Sequence, residues 1–183
     1  MNPTLGIKKF KEKSRDRFIQ PDELPKFFVS LAQELNQTIK DYFHTSILTG
    51  ARKSNLLTMR WKDICFNRNE WKIPETKNGD SLNVPLIEEA VEILKERKLS
   101  MLSDSEYVFP GDGKNGHLQE PRKGWLCILK RAGITDLRIH DIRRTMGSYQ
   151  TIAGASLAVI GKSLGHKSQQ ATQIYARLHN DPC

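Results

Sequence analysis

The sequence predicts a mainly helical α+β domain with a small three-stranded antiparallel sheet. Two observations carry that prediction. Apolar residues recur at helical spacing from Phe18 to Met59, and again after Leu86 to near the C-terminus. Between these stretches, residues 64–85 switch to short runs with strand character, separated by turn-forming residues.

The elements follow in order. Residues 1–17 hold Lys8, Lys9, Lys11, Lys13, Arg15 and Arg17 among polar neighbours and read as a linker or basic arm. Pro21 and Asp22 open a first helix with apolar Leu24, Phe27, Phe28 and Leu31. A second runs over the apolar stretch Ile39 to Leu48 and stops at Thr49-Gly50. A third spans about Lys53 to Met59. Three strands are expected at 64–66, 70–74 and 81–85. Asn67-Arg68-Asn69 and Lys77-Asn78-Gly79-Asp80 supply the turns, the second with an Asn-Gly pair suited to the positive φ of a tight hairpin.

After Leu86 a helix is marked by Ile87, Val91 and Leu94, and a Gly-rich loop follows at 110–116. Further helices are expected around Trp125 to Ala132, His140 to Ala153, Ser156 to Leu164 and Ser168 to Leu178. Gly154 and Gly165 suit helix ends, and Ser156 and Ser168 suit helix starts. The chain shows no internal repeat and no low-complexity tract.

With 183 residues the chain is long enough for one domain with a substantial core. Hydrophobic residues at 38% and charged residues at 27% exclude a disordered composition. No apolar run approaches the roughly 20 residues of a membrane span. The charged N-terminus lacks the apolar segment of a secretory signal. Cys65, Cys127 and Cys183 have no metal-ligand spacing and read as reduced thiols in a cytoplasmic protein. The formal net charge of +8 favours a polyanionic partner such as DNA or RNA. Charge alone leaves that partner open, because many globular domains are basic, and it does not specify chemistry.

Five groups become informative only together. Arg52 follows a helix-ending glycine, so it stands at a helix–helix corner. His140 and Arg143 lie one helical turn apart and share a face. His166 follows the glycine that closes a helix, where a histidine also suits the negative helix end. Tyr175 lies in a terminal amphipathic segment, where a half-buried core tyrosine is the common case. Lys77 sits at a hairpin tip, where solvated lysines are ordinary.

As a set, two guanidiniums can grip the oxygens of a phosphodiester by paired hydrogen bonds. Histidines can move protons near neutral pH. A tyrosine hydroxyl, with an ordinary pKa of about 10, needs a cationic surround to act as a nucleophile. No acidic cluster suited to catalytic magnesium is seen in the sequence, which argues against a two-metal nuclease.

The chain resembles the catalytic domain of the tyrosine recombinases, the phage-integrase family. The likeness runs from about Phe18 to Leu178. It is carried by TGAR at 49–52, HDIRRT at 140–145, and LGH with Tyr175 nine positions after His166. The opening stretch from Asn2 to Ile19 also resembles the linker entering such domains.

The resemblance implies an integrase-like fold and strand cleavage and rejoining in site-specific DNA recombination, for integration or excision of a mobile element. It implies that Arg52 and Arg143 clamp the scissile phosphate. His140 would accept or shuttle the proton of the nucleophile, and Tyr175 would form a 3′-phosphotyrosyl link. Lys77 would protonate the departing 5′-oxygen, with Lys72 as its nearest rival, and His166 would hydrogen-bond the phosphate.

No ATP, cofactor or metal is implied, because the tyrosyl ester conserves the bond energy. The implied partner is double-stranded DNA, with a homotetramer on DNA for a full-length protein and a monomer for this chain alone. Residues 18–183 are expected to form the catalytic domain, without the N-terminal core-binding domain of the family. Asn55 and Arg177 depart from the usual acidic residue and from the usual Tyr-Ala-His run. Two other readings share these features: a relaxing topoisomerase of type IB, and a DNA-binding module with a degenerate site.

Overall fold

The structure is a computed structural model, which describes residues 15–74, 81–101, 104–166 and 168–176. The first helix, α1 (Leu24–Ala32), leads to α2 (Gln37–Thr49) and the short α3 (Lys53–Leu57). The Asn36 side chain starts α2 by accepting the Ile39 amide at 3.1 Å. Gly50 ends it in the left-handed conformation, with φ 60°. A side chain at Gly50 would be strained by that positive φ, and its Cβ would stand 2.9 Å from Leu164 and 3.0 Å from Met146.

A 3-10 turn (Trp61–Asp63) introduces the sheet. Its strands are β1 (Ile64–Cys65), β2 (Glu70–Ile73) and β3 (Leu82–Pro85), antiparallel in the order β1-β2-β3. The register sets Trp71 against Val84 and Ile73 against Leu82. Trp71, Ile73 and Val84 are buried, while Lys72 and Asn83 point to solvent, as strand alternation requires. The strands are thus as predicted but shorter, and the predicted turn at Lys77–Asp80 lies outside the described residues.

Four longer helices and one short one follow among the described residues: α4 (Glu88–Ser100), α5 (Arg122–Ala132), α6 (Ile139–Ile152), α7 (Leu157–Ser163) and α8 (Gln169–Thr172). After α7, Gly165 takes φ 61°. Its amide bonds the Lys162 carbonyl, and the His166 amide bonds the Gly161 carbonyl at 2.8 Å. That doubled bond is the Schellman arrangement, which turns the chain sharply at Gly165. Ser156 and Ser168 cap α7 and α8 through the Val159 and Ala171 amides, as predicted. One expectation is corrected. The last segment is not a regular helix throughout: α8 gives way to a 3-10 turn at Gln173–Tyr175. There Tyr175 packs on Ile160 and Leu164.

Two apolar clusters result. The larger surrounds α2, which packs against α1, α3, α4 and α6. Phe27 and Phe43 each meet Trp125, with centroids 5.8 and 5.0 Å away, and Tyr42 meets Phe109 at 5.4 Å. Each such buried ring contributes about 1.5–3 kcal/mol of transfer free energy. Among the described residues the smaller cluster holds Ile160, Leu164 and Tyr175, with Met146, Ala155, Leu157 and Ile174 at its edge.

An ion pair is buried beside the larger cluster. Arg97 Nη1 donates to Asp41 Oδ2 at 2.8 Å, Nη2 donates to Thr38 Oγ1 at 2.9 Å, and Nε donates to the Val108 carbonyl. Its guanidinium also lies 5.2 Å from the Phe109 ring centroid. The two side chains are only 5% and 7% exposed, so removing the cation strands a buried carboxylate. Arg97→Ala is expected to lower unfolding stability by about 3–5 kcal/mol in chemical denaturation. A loss below about 1 kcal/mol would contradict the buried pair.

Candidate active site

The site forms where the ends of α2 and α7 meet the middle of α6. Arg143, from α6, is 7% exposed and points inward. Its Nη1 donates to the Gly50 carbonyl at 2.8 Å, and its Nη2 donates to the Leu164 carbonyl. Both acceptors are at helix C-termini, where the backbone leaves carbonyls unpaired and the helix dipole is negative. Burial and the neighbouring Arg52 push the Arg143 pKa down to about 10, while Tyr175 opposes that shift. The guanidinium stays charged at neutral pH.

Arg52 precedes α3 in extended backbone, as its place after Gly50 predicts. Its Nη2 reaches the Gly165 carbonyl at 3.4 Å. Its Nη1 is shielded from solvent and has no hydrogen-bond partner among the described residues. Two cations therefore sit side by side, one with an unused donor. That arrangement suits an anion with several oxygens.

His166, half-buried after the Gly165 turn, places Nδ1 2.9 Å from Thr172 Oγ1. Burial, then Arg143 and Arg52, push its pKa down to about 4. Its ring stacks on Tyr175, with centroids 6.4 Å apart and planes 9° from parallel. Tyr175 is 3% exposed. Its hydroxyl end lies against α6 at Gly147, where a Cβ would come within 2.8 Å of the hydroxyl oxygen. Burial raises the phenol pKa, and Arg143 and Arg144 only partly offset that. The hydroxyl is therefore protonated in this state.

His140 lies at the start of α6 on the side open to solvent. Desolvation of the ring and repulsion from Arg143, Arg144 and Arg52 lower its pKa, with Asp141 opposing. Because the residue is exposed overall, the adjacent cations are the firmer of these causes. Both site histidines are neutral at pH 7, so His140 can accept a proton.

The structure thus brings Arg52, Arg143, His166 and Tyr175 together, with His140 at the rim. Lys77 lies outside the described residues, but the start of β3 comes close to the site. Leu82, at the start of β3, is the side chain a Cβ on Gly165 would meet, at 2.5 Å. Lys72 points to solvent from the middle of β2.

Sequence reasoning did not find the carbonyls of Gly50 and Leu164, the close approach at Gly147, or the Thr172 contact. A glycine inside a helical run was the available signal for Gly147. Backbone carbonyls carry no side-chain signature. Arg15 and Arg17, read as part of an arm, are engaged with the domain. Arg15 pairs with Asp136 and Asp141, and Arg17 pairs with Glu23.

The overall arrangement is that of known recombinase catalytic domains. The catalytic domain of bacteriophage HP1 integrase superposes with a TM-score of 0.67 over 88% of this chain and 87% of that one, at 19% identity. The XerH site-specific recombinase bound to palindromic difH substrate, a post-cleavage complex, gives a TM-score of 0.74 over 91% of this chain and 51% of that one, at 21% identity. Among relatives, the integrase of Salmonella phage P22 is 28% identical over 96% of this chain and 47% of its own length. The tyrosine recombinase XerD of Rhizobium meliloti is 32% identical over 72% of this chain and 46% of its own length. The family model described as "Phage integrase family" matches residues 17–181. The chain belongs to the phage integrase family. It spans about half the length of those two curated relatives. Among the described residues, no helix is long and apolar enough to cross a membrane.

Two outcomes follow from this geometry. In residue-resolved NMR, His166 is expected to titrate near pH 4 in the free protein and to move upward when orthovanadate occupies the arginine pair. A midpoint near 6.5 without ligand would contradict the burial described. Because the folded pKa lies below the unfolded value, the unfolded chain binds more protons between about pH 6.5 and 4. The His166 contribution to stability is therefore lost as pH falls through that window. Second, Gly147→Ala is expected to displace the Tyr175 ring and bring its phenol pKa back toward about 10. An unmoved pKa would show that the ring does not rest on Gly147.

Proposed function

We propose that this chain is the catalytic domain of a site-specific DNA recombinase, a tyrosine-type DNA strand transferase. The observation that carries the reading is that Arg143 and His166 meet the buried Tyr175 with Arg52 beside them, in a member of the phage integrase family. Residues 18–183 form the catalytic unit, and residues 1–17 form the arm that enters it.

In this reading the two guanidiniums bind the non-bridging oxygens of the scissile phosphate and stabilise the charge that builds during attack. Tyr175 attacks phosphorus through its hydroxyl oxygen. Its proton passes to His140, which is neutral and placed at the rim. The bond to the 5′-oxygen breaks, and Lys77 protonates that oxygen. The products are a 3′-phosphotyrosyl ester and a free 5′-hydroxyl. Attack by another 5′-hydroxyl reverses the step and exchanges strands, with no ATP and no metal in the balance.

Double-stranded DNA in the cytoplasm is the partner, for integration or excision of a mobile element. A tetramer on DNA is the working state of the full-length protein, and this chain alone is a monomer.

The test is covalent capture on nicked duplexes. The wild type is expected to form a denaturant-resistant adduct. Tyr175→Phe is expected to form none while binding duplex nearly normally. An adduct with the Phe variant would refute the nucleophile assignment. Duplex binding without an adduct, even with an N-terminal DNA-binding domain attached, would favour the degenerate binding module. Relaxation of supercoiled DNA without strand exchange would favour a type IB topoisomerase. Arg143→Lys keeps the charge but loses the planar fork, and is expected to reduce cleavage by at least about 100-fold with folding retained. Undiminished cleavage would demote Arg143.

A further inference from the structure

Threonine 172 is buried in the same turn that carries the tyrosine. Four other buried threonines, in α2 and α6, turn the hydroxyl to the carbonyl one helical turn back. Thr45 bonds Asp41, Thr49 bonds Thr45, Thr145 bonds Asp141 and Thr151 bonds Gly147. Thr172 is equally buried, at 3% exposure, but its hydroxyl meets His166 Nδ1 at 2.9 Å. Among the described residues it makes no bond to a backbone carbonyl. Gly161 leaves the space for this contact, since a Cβ there would stand 3.0 Å from Thr172 Oγ1.

A hydroxyl has one proton, and a buried donor without an acceptor is costly. If Nδ1 carried the imidazole proton, it would donate to the hydroxyl and leave the Thr172 proton without a partner among the described residues. If Nδ1 is bare, the hydroxyl donates to it and both groups are satisfied. The imidazole proton is then on Nε2.

We propose that Thr172 is a positioning residue that fixes His166 in the Nε2–H tautomer. The tautomer itself stands on the hydrogen-bond geometry. Its catalytic meaning rests on the reading of His166 as a phosphate ligand. In this tautomer His166 offers a donor to an anion held by Arg52 and Arg143, and it cannot take the proton of Tyr175. The proton-accepting role is thereby left to His140. Thr172 also precedes Tyr175 by three residues, so any movement of the tyrosine turn away from α7 releases Nδ1 as well. The pKa of His166, held near 4 by burial and the arginines, keeps the ring neutral, which is the state in which a tautomer can be selected.

Long-range proton–nitrogen NMR on the whole chain reads the tautomer directly, without DNA. At pH 7 the wild type is expected to show the single Nε2–H pattern at His166. Thr172→Val keeps the shape and removes the hydroxyl, and it is expected to give a mixture of tautomers. Thr172→Ser is expected to restore the single pattern. Should the Val variant fail to fold, Gly161→Ala presses on the hydroxyl from α7 and is expected to produce the same mixture.

In covalent capture, Thr172→Val is expected to slow cleavage about tenfold, with recovery in the Ser variant. A wild type with the proton on Nδ1, or a Val variant with an unchanged pattern, would overturn the proposal. The single Nε2–H pattern in a protein that forms no adduct would uphold the tautomer and count only against strand transfer.

Discussion

The site depends on a buried guanidinium held by the ends of two helices. Arg143 is charged and nearly sealed from water, so its placement is tolerable only because carbonyls meet it. Those carbonyls are available because α2 and α7 end there, each with a glycine in the left-handed conformation next in the chain. Gly50 ends α2 and lies against Leu164, so the two helix ends and the arginine define one another. Arg52 is then brought beside Arg143 by the same turn, two residues past Gly50. The repulsion between the two cations is offset by helix-end carbonyls, and an incoming phosphate would neutralise what remains.

The tyrosine has a different kind of anchorage. The large cluster around α2 holds Arg143 through α6 and Arg52 through the turn from α2 into α3, whereas Tyr175 belongs to a small satellite cluster on α7. Small clusters with few apolar partners open more easily than a central core. The arginines and Tyr175 are thus anchored in two different apolar clusters. Burial also keeps the phenol protonated while it rests on Gly147, so its docked position and its low reactivity have one cause. Thr172 ties the histidine to that same turn.

Much of this was legible in the sequence, for local reasons. Apolar period, glycine stops and serine caps located the helices, and strand alternation located the sheet. The order of Arg52, His140, Arg143, His166 and Tyr175 was legible because each sits at a helix end or on one helix turn. What the sequence hid was non-local or made of backbone. The Asp41–Arg97 pair joins residues 56 apart, and no local pattern links them. The acceptors of Arg143 are carbonyls, which every residue has. The break of the last helix into a 3-10 turn reflects the packing of Tyr175 on Ile160 and Leu164, a tertiary effect that outweighs helical period.

The central claim is that Arg143 is already fixed by the two helix-end carbonyls in the free protein. Side-chain NMR of the arginine guanidiniums in the free protein tests it most directly. Slow exchange with water and hindered rotation at Arg143, against fast exchange at the exposed Arg122, is the expected result. Arg143 exchanging as fast as Arg122 would mean that the guanidinium is not held by Gly50 and Leu164, and would contradict the account.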